Sequence, residues 1–197
     1  MTTVHSFPPI VDRSSHTLIL GSMPGVASLK AAQYYAHPRN AFWPIMGALF
    51  GAGLDKSYDE RTAILLARGI AVWDVVKLCT RHGSLDSAIV ESTVETNDFD
   101  SLLGEFPSIQ RIFFNGAKAE TSFVRHVSPS VRDVAVRRLP STSPAHASLS
   151  FDRKLDAWRS VAQPLPEISR SSSRDDRNHE NDREHDRVDR CHRDSRP

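Results

Sequence analysis

Cysteine is nearly absent from this chain. Cys79 and Cys191 are the only two in 197 residues, too few for a disulfide framework, an iron–sulfur cluster or a Cys-rich zinc site. No closely spaced set of His, Asp and Glu has a metal-ligand spacing, so neither a metal nor another cofactor is expected. No apolar run approaches the ~20 residues that span a bilayer, and the N-terminus lacks a signal-peptide pattern. A cytoplasmic monomer without membrane association is the expectation. The chain has no GxSxG nucleophile elbow, no Walker phosphate loop and no GxGxxG. Charge of one sign is also missing. The net charge of +1 neither demands nor excludes a nucleic-acid partner, because local patches decide that.

The apolar residues themselves run out near the C-terminus. From Ser169 onward the chain has one Val and no Leu, Ile, Phe, Trp or Tyr, with Arg and acid alternating. Such a run cannot bury enough apolar surface to offset the entropy of ordering. With Pro164 and Pro166 marking the end of the pattern, a folded domain is expected over 1–166 and a disordered charged tail over 167–197. Cys191, His192, His179 and His185 in that tail read as solvated polar residues rather than as a metal site.

The folded part alternates strands and helices. Thr17 to Gly21, Ile70 to Val76, Arg111 to Gly116 and Val134 to Pro140 read as strands. Helices are expected from Pro44 onward in "IMGALFG", over Asp59 to Arg68, Asp98 to Glu105, Ala117 to His126 and Phe151 to Ala162. The last would place Phe151, Leu155, Trp158 and Ala162 on one face, with Ser150 as N-cap. Strands alternating with helices make an α/β fold with a parallel sheet covered on both faces. Each strand ends in a polar or Gly/Pro-marked segment: "GSMPG", "WD", "NG" and "PSTSPAHA". In open parallel sheets such endings converge on one ligand crevice.

Just beyond the first of them lies "YYAHPRNAFW", Tyr34 to Trp43, which mixes four rings with His37, Arg39 and Asn40. Phe42 and Trp43 at a helix start suit a core. Tyr34 and Tyr35, in non-helical chain, suit either a core or stacking on a base. Asn40 reads either as the N-cap of a helix starting at Ala41 or as an amide that orients a water. The small hydroxyl residues after Arg137 and Arg138 suit phosphate oxygens, and Lys118, Arg125 and Arg132 extend a basic edge. Asp86, in "GSLDSA", reads as a capping or structural acid.

Taken in order, "HSFPPI", "LILGSMPGVASL", "YYAHPRNAFW", "VWDVVKLCTRHGSLDSAI", "FFNG" and "LPSTSPAHA" resemble the hypoxanthine-DNA glycosylases, family 6 of the uracil-DNA glycosylase superfamily. The likeness runs from about His5 to Trp158. It implies a three-layer α/β/α fold around a central four-stranded parallel sheet, and monofunctional removal of hypoxanthine from deoxyinosine in double-stranded DNA. Met23 stands in the slot where other branches carry a catalytic Asp or Asn, so the resemblance assigns catalysis to Asn40. It implies a base pocket of Gly21, Ser22, Met23, Tyr35 and Asn115, and DNA contacts from Ser141, Thr142, Ser143, Pro144, Ala145 and His146. Leu139 replaces the His or Asn of many uracil-removing relatives. Two readings stand beside this one: a mismatch-specific uracil or broad damaged-base glycosylase, and a non-catalytic binder of damaged DNA.

Overall fold

The computed structural model describes residues 2–127 and 134–164, which belong to the unit Met1–Pro164. The expected tail and Arg132 lie outside the described residues. Two sheets organise the rest. The larger contains β2 (Thr17–Gly21), β3 (Ile70–Asp74), β6 (Arg111–Asn115) and β7 (Ala135–Leu139), in the order β3-β2-β6-β7. Its three pairings are all parallel. Every residue of β2 and β3 is buried, so both faces of these strands are covered. A near-continuous apolar run, rather than an alternating one, is what such a position demands.

The smaller sheet was not read from the sequence. It joins β1 (Thr2–His5), β4 (Val76–Arg81) and β5 (Glu95–Thr96) in antiparallel fashion. The apolar stretch after Ile70 is therefore two strands, not one: β3 ends at Asp74 and β4 starts at Val76. Backbone N–H groups of Val75 and Val76 donate to the carbonyls of Gly21 and Ser22, which carries the chain across the end of β2 between the two sheets. A continuous hydrophobic run gives no sign of such a change of sheet.

Helices α1 (Val26–Ala31), α2 (Phe42–Phe50), α3 (Tyr58–Ala67), α4 (Phe99–Glu105), α5 (Ala117–His126) and α6 (Phe151–Trp158) fill the connections. Pro44 sits in the first turn of α2, where its missing N–H is harmless. Ser57 and Glu60 form a reciprocal capping box on α3. The face of α6 differs from the expected one. Phe151 is 43% exposed, while Lys154 is 6% exposed and Trp158 and Val161 are buried. Ala162 is exposed, in a 3-10 turn that continues the helix. Ser150 caps α6 by accepting the N–H of Arg153.

These helix residues secure the chain that follows β7. Trp158 Nε1 donates to the carbonyl of Pro140 at 2.9 Å, and the Lys154 ammonium donates to that of His146 at 2.7 Å. At the end of β6, Gly116 adopts φ 100°, ψ 169°, a region open almost only to glycine. A Cβ there would meet Ser141 Cβ at 2.8 Å. Gly116→Ala is expected to destabilise the protein by about 1–3 kcal/mol, measured as a lower urea midpoint. An unchanged midpoint would show that this close approach does not constrain the fold.

Candidate active site

Gly21 at the end of β2, Asp74 at the end of β3, Asn115 at the end of β6 and Ser141 to His146 after β7 line one cavity of about 370 Å³. The strand order reverses between β2 and β6, the position at which open α/β sheets hold ligands. All twelve residues expected in the site border this cavity. Their side chains do different things from one another.

Tyr34 and Tyr35 both border the cavity, with ring centroids 6.1 Å apart, but they are held differently. Tyr34 is 3% exposed and belongs to the core. Its hydroxyl donates to the carbonyl of Pro8 at 3.1 Å, and its own carbonyl accepts Trp43 Nε1–H at 2.9 Å. Tyr35 is held at φ 56°, a strained left-handed conformation for a bulky residue. That twist lays its ring on Phe42, with centroids 4.0 Å apart and planes 22° off parallel. Phe42 and Trp43 are fully packed, as their place at the start of α2 led one to expect.

Asn40 lies in the turn before α2, and its Oδ1 accepts the N–H of Phe42 at 2.9 Å. Asn40 is not the N-cap that was expected, because α2 starts at Phe42 and Ala41 takes that position; its amide still holds the first helical N–H and borders the cavity. The N–H it accepts also sets the amide's orientation. Met23 contributes no polar group; it is buried in a small cluster with Val4, Val76, Cys79 and Ile89. Leu139 is buried as well.

Asn115 and Thr142 form a reciprocal pair. The Asn115 Oδ1 accepts the N–H of Thr142, and its Nδ2 donates to Thr142 Oγ1, each at 2.8 Å. The carbonyl of Thr142 in turn accepts the N–H of Ala41 at 3.0 Å. Thr142 is 1% exposed, so it braces the loop from within, whereas a DNA contact was expected of it. Around it, Ser141 Oγ accepts the N–H of Ser143 and Ser143 Oγ that of Ala145. The basic edge is also different from the expected one. Lys118 and Arg125 both pair with Glu91, and Arg138 pairs with Glu120 at 2.8 Å.

Two acids were missed as site residues. Asp86 does not cap the 3-10 turn it begins; its Oδ1 accepts the hydroxyl of Ser22 at 2.7 Å, and it borders the cavity. Burial raises its pKa, opposed by the Ser22 hydrogen bond and by Arg81. Asp74 is 3% exposed. Burial, and then the proximity of Asp86, push its carboxyl up to about 8, with Arg81 opposing. Gly21 makes the space, for a Cβ there would lie 2.3 Å from Asp74 Oδ1 and 3.0 Å from Tyr35 Oη. The only signal in the sequence was that "WD" ends a strand.

The folded state therefore keeps a proton on Asp74 that an unfolded carboxyl, near its ordinary 3.8, gives up. Such a group makes stability highest at low pH and erodes it as pH rises from about 4 towards 8. Asp74→Asn is expected to melt above the wild type at pH 7.5, with the gap closing as the pH is lowered to 4. A gap that did not change with pH would show that Asp74 ionises normally in the fold.

Comparison with known proteins agrees with this geometry. A model of the uracil DNA glycosylase superfamily matches residues 8–162. A Methanosarcina acetivorans protein named hypoxanthine DNA glycosylase is 36% identical over 158 residues, covering 79% of this chain and 95% of its own length. A Methanosarcina barkeri protein of the same name is 39% identical over 114 residues, covering 57% of this chain and 71% of its own length. The solution NMR structure of a candidate uracil DNA glycosylase from Methanosarcina acetivorans superposes with a TM-score of 0.67 at 31% identity, covering 82% of this chain and 100% of that one. The chain belongs to the uracil DNA glycosylase superfamily, in the branch of the hypoxanthine DNA glycosylases.

Proposed function

We propose that this protein hydrolyses the N-glycosidic bond of deoxyinosine in DNA, releasing hypoxanthine and leaving an abasic site. The observation that carries the reading is an oriented amide, Asn40, on the wall of a cavity whose superfamily catalytic slot holds the apolar Met23. The names of the two Methanosarcina relatives point to the same base.

The target nucleotide leaves the duplex to reach the site, at a cost of a few kcal/mol that is least for a mispaired base. A cavity of about 370 Å³ is within the usual range for small-molecule sites and holds a flipped purine. Tyr35, backed by Phe42 on one face, stacks on the base. The carbonyls of Gly21 and Ser22 are already bonded to Val75 and Val76, so the N–H groups of Ser22 and Met23 serve the base edge. The Ser141, Ser143, Pro144, Ala145 and His146 side of the loop meets the DNA, with phosphates as the partners that the Ser141 and Ser143 hydroxyls suit, since the N–H groups of Ser143, Ala145 and His146 are bonded within the loop. Asn115 acts through Thr142 by keeping that loop in place.

Cleavage passes through an oxocarbenium-like sugar. An amide does not ionise usefully, so Asn40 is not a base. Its Oδ1 has a second lone pair beyond the one held by Phe42 N–H, and that lone pair accepts a hydrogen bond from water and fixes it near the anomeric carbon. Positioning of this kind lowers barriers by several kcal/mol. Among the described residues no lysine borders the cavity, in keeping with base removal without strand cleavage. The activity is assigned to a monomeric cytoplasmic enzyme whose domain spans 1–166.

The direct test incubates the protein with duplexes carrying one deoxyinosine or one deoxyuridine, followed by hot alkali. Alkali-dependent cleavage at inosine, with little at uracil, is expected; cleavage at uracil alone would move the chain to a uracil-removing branch. Asn40→Ala is expected to lose at least about 100-fold in single-turnover rate, within the several kcal/mol that positioning supplies, while staying folded with a stability loss of about 1 kcal/mol from the missing bond to the N–H of Phe42. Tyr35→Ala should weaken binding of the inosine duplex by about 1–3 kcal/mol, the usual worth of a base stacked on an aromatic ring, as seen in fluorescence anisotropy. Full activity in Asn40→Ala would overturn the catalytic assignment.

A further inference from the structure

Among the described residues, two buried polar atoms beside the cavity have no hydrogen-bond partner, Asp74 Oδ2 and Tyr35 Oη. Both residues border the cavity. Buried side-chain polar atoms are in the large majority partnered, and exceptions call for an explanation. Here the surroundings hold Asp74 in place without satisfying it. Asn97 Nδ2 donates to its backbone carbonyl at 2.8 Å, and Gly21 leaves the space its carboxyl occupies. The charged and titratable groups facing it are Asp86 from the loop after β4, Arg81 on β4, Tyr34 and Tyr35 from the segment before α2, and Tyr58 on α3. Arg81 Nη2 donates to the carbonyl of Pro24, and among the described residues its Nε and Nη1 have no partner, so it does not hydrogen-bond Asp74. Asp86 is bonded to Ser22 and repels a second negative charge.

Such a carboxyl keeps its proton and is a hydrogen-bond donor. The proposed reaction has a use for one. Hypoxanthine departing as an anion would meet two acids at the cavity, and ionised acids beside developing negative charge raise a barrier rather than lower it. Resting on the deoxyinosine reading above, we infer that Asp74 is the general acid of the reaction, donating its proton to the departing purine while Asn40 holds the water. The C1′–N9 bond breaks with its electron pair passing to the purine. The Asp74 proton goes to a ring nitrogen of that purine, so hypoxanthine leaves neutral. The water oxygen bonds to C1′, and the proton it sheds restores Asp74 through solvent. One water is consumed and no other reactant is needed. The burial and the nearby Asp86 that push the carboxyl up to about 8 keep it in the donating form at neutral pH. Tyr35 Oη, equally unpartnered, is placed to bond the same base.

The test is the pH dependence of single-turnover excision from an inosine duplex, between pH 5.5 and 9.5, for the wild type and Asp74→Asn. An acid must be protonated to act, so the wild-type rate should hold below about pH 8 and fall tenfold per pH unit above it. Asp74→Asn should be slower by about 100-fold or more, the usual worth of general acid–base catalysis, and should lack that alkaline fall. It should still bind a duplex carrying an uncleavable 2′-fluorinated deoxyinosine. A variant as fast as the wild type would overturn the inference. So would a slower variant with the alkaline fall intact, or one that no longer binds the fluorinated duplex, since either makes Asp74 a scaffold residue. If the wild type leaves inosine uncut, the deoxyinosine reading itself fails and takes this one with it. Loss confined to the variant's pH behaviour leaves that reading standing.

Discussion

The site depends on one reciprocal amide contact, that between Asn115 at the end of β6 and Thr142 in the loop after β7. Two hydrogen bonds from a planar amide fix both distance and orientation, and Thr142 is buried where no water competes for them. Its carbonyl carries the constraint onward to Ala41, next to Asn40. Three separate stretches of chain are thereby held at fixed spacing around the cavity. Trp158 and Lys154 secure the same loop at Pro140 and His146. Buried polar networks of this kind are worth their desolvation only when every member is satisfied, and on this side of the cavity the members are.

On the β3 side the opposite holds. Asp74 and Tyr35 present polar atoms without partners, and Tyr35 has a backbone conformation that few large residues adopt. Orphaned buried polar groups cost about 1–3 kcal/mol each, and left-handed backbone at a non-glycine residue adds to that. A fold tolerates such costs where the rest of the structure over-determines the geometry. Here the parallel strands of the larger sheet, buried along the whole length of β2 and β3, supply that rigidity. The satisfied rim and the unsatisfied wall therefore belong together, the first keeping the second from relaxing.

Much of this arrangement was legible before any coordinate. The four strands that end at the cavity announce themselves as short apolar runs closed by Gly, Asp, Asn or Pro, and the aromatic stretch before α2 stands out by composition. What misled were features whose meaning depends on neighbours distant in sequence. Lys118, Arg125 and Arg138 looked like a basic edge until Glu91 and Glu120 came beside them. Phe151 looked like core, but the register of α6 turns Lys154 inward in its place. Tyr34 and Tyr35 are chemically equivalent in sequence, and only the structure shows that Tyr34 is almost wholly buried while Tyr35 takes a left-handed φ.

Residue order alone determined the α/β class, the strand endings that gather at one crevice, Asn40 as the amide to consider and the family likeness. Those rest on local pattern, because burial on both faces of a strand, turn chemistry and motif spacing are written in adjacent residues. The tertiary structure decided the second sheet, the inward role of Thr142 and the entry of Asp74 and Asp86 into the site. An aspartate's ionisation and partners are set by desolvation and by charges brought close through folding, such as Arg81 and Asp86 around Asp74. No spacing along the chain encodes that environment, which exists only once Gly21 and Asp74 lie side by side in neighbouring strands.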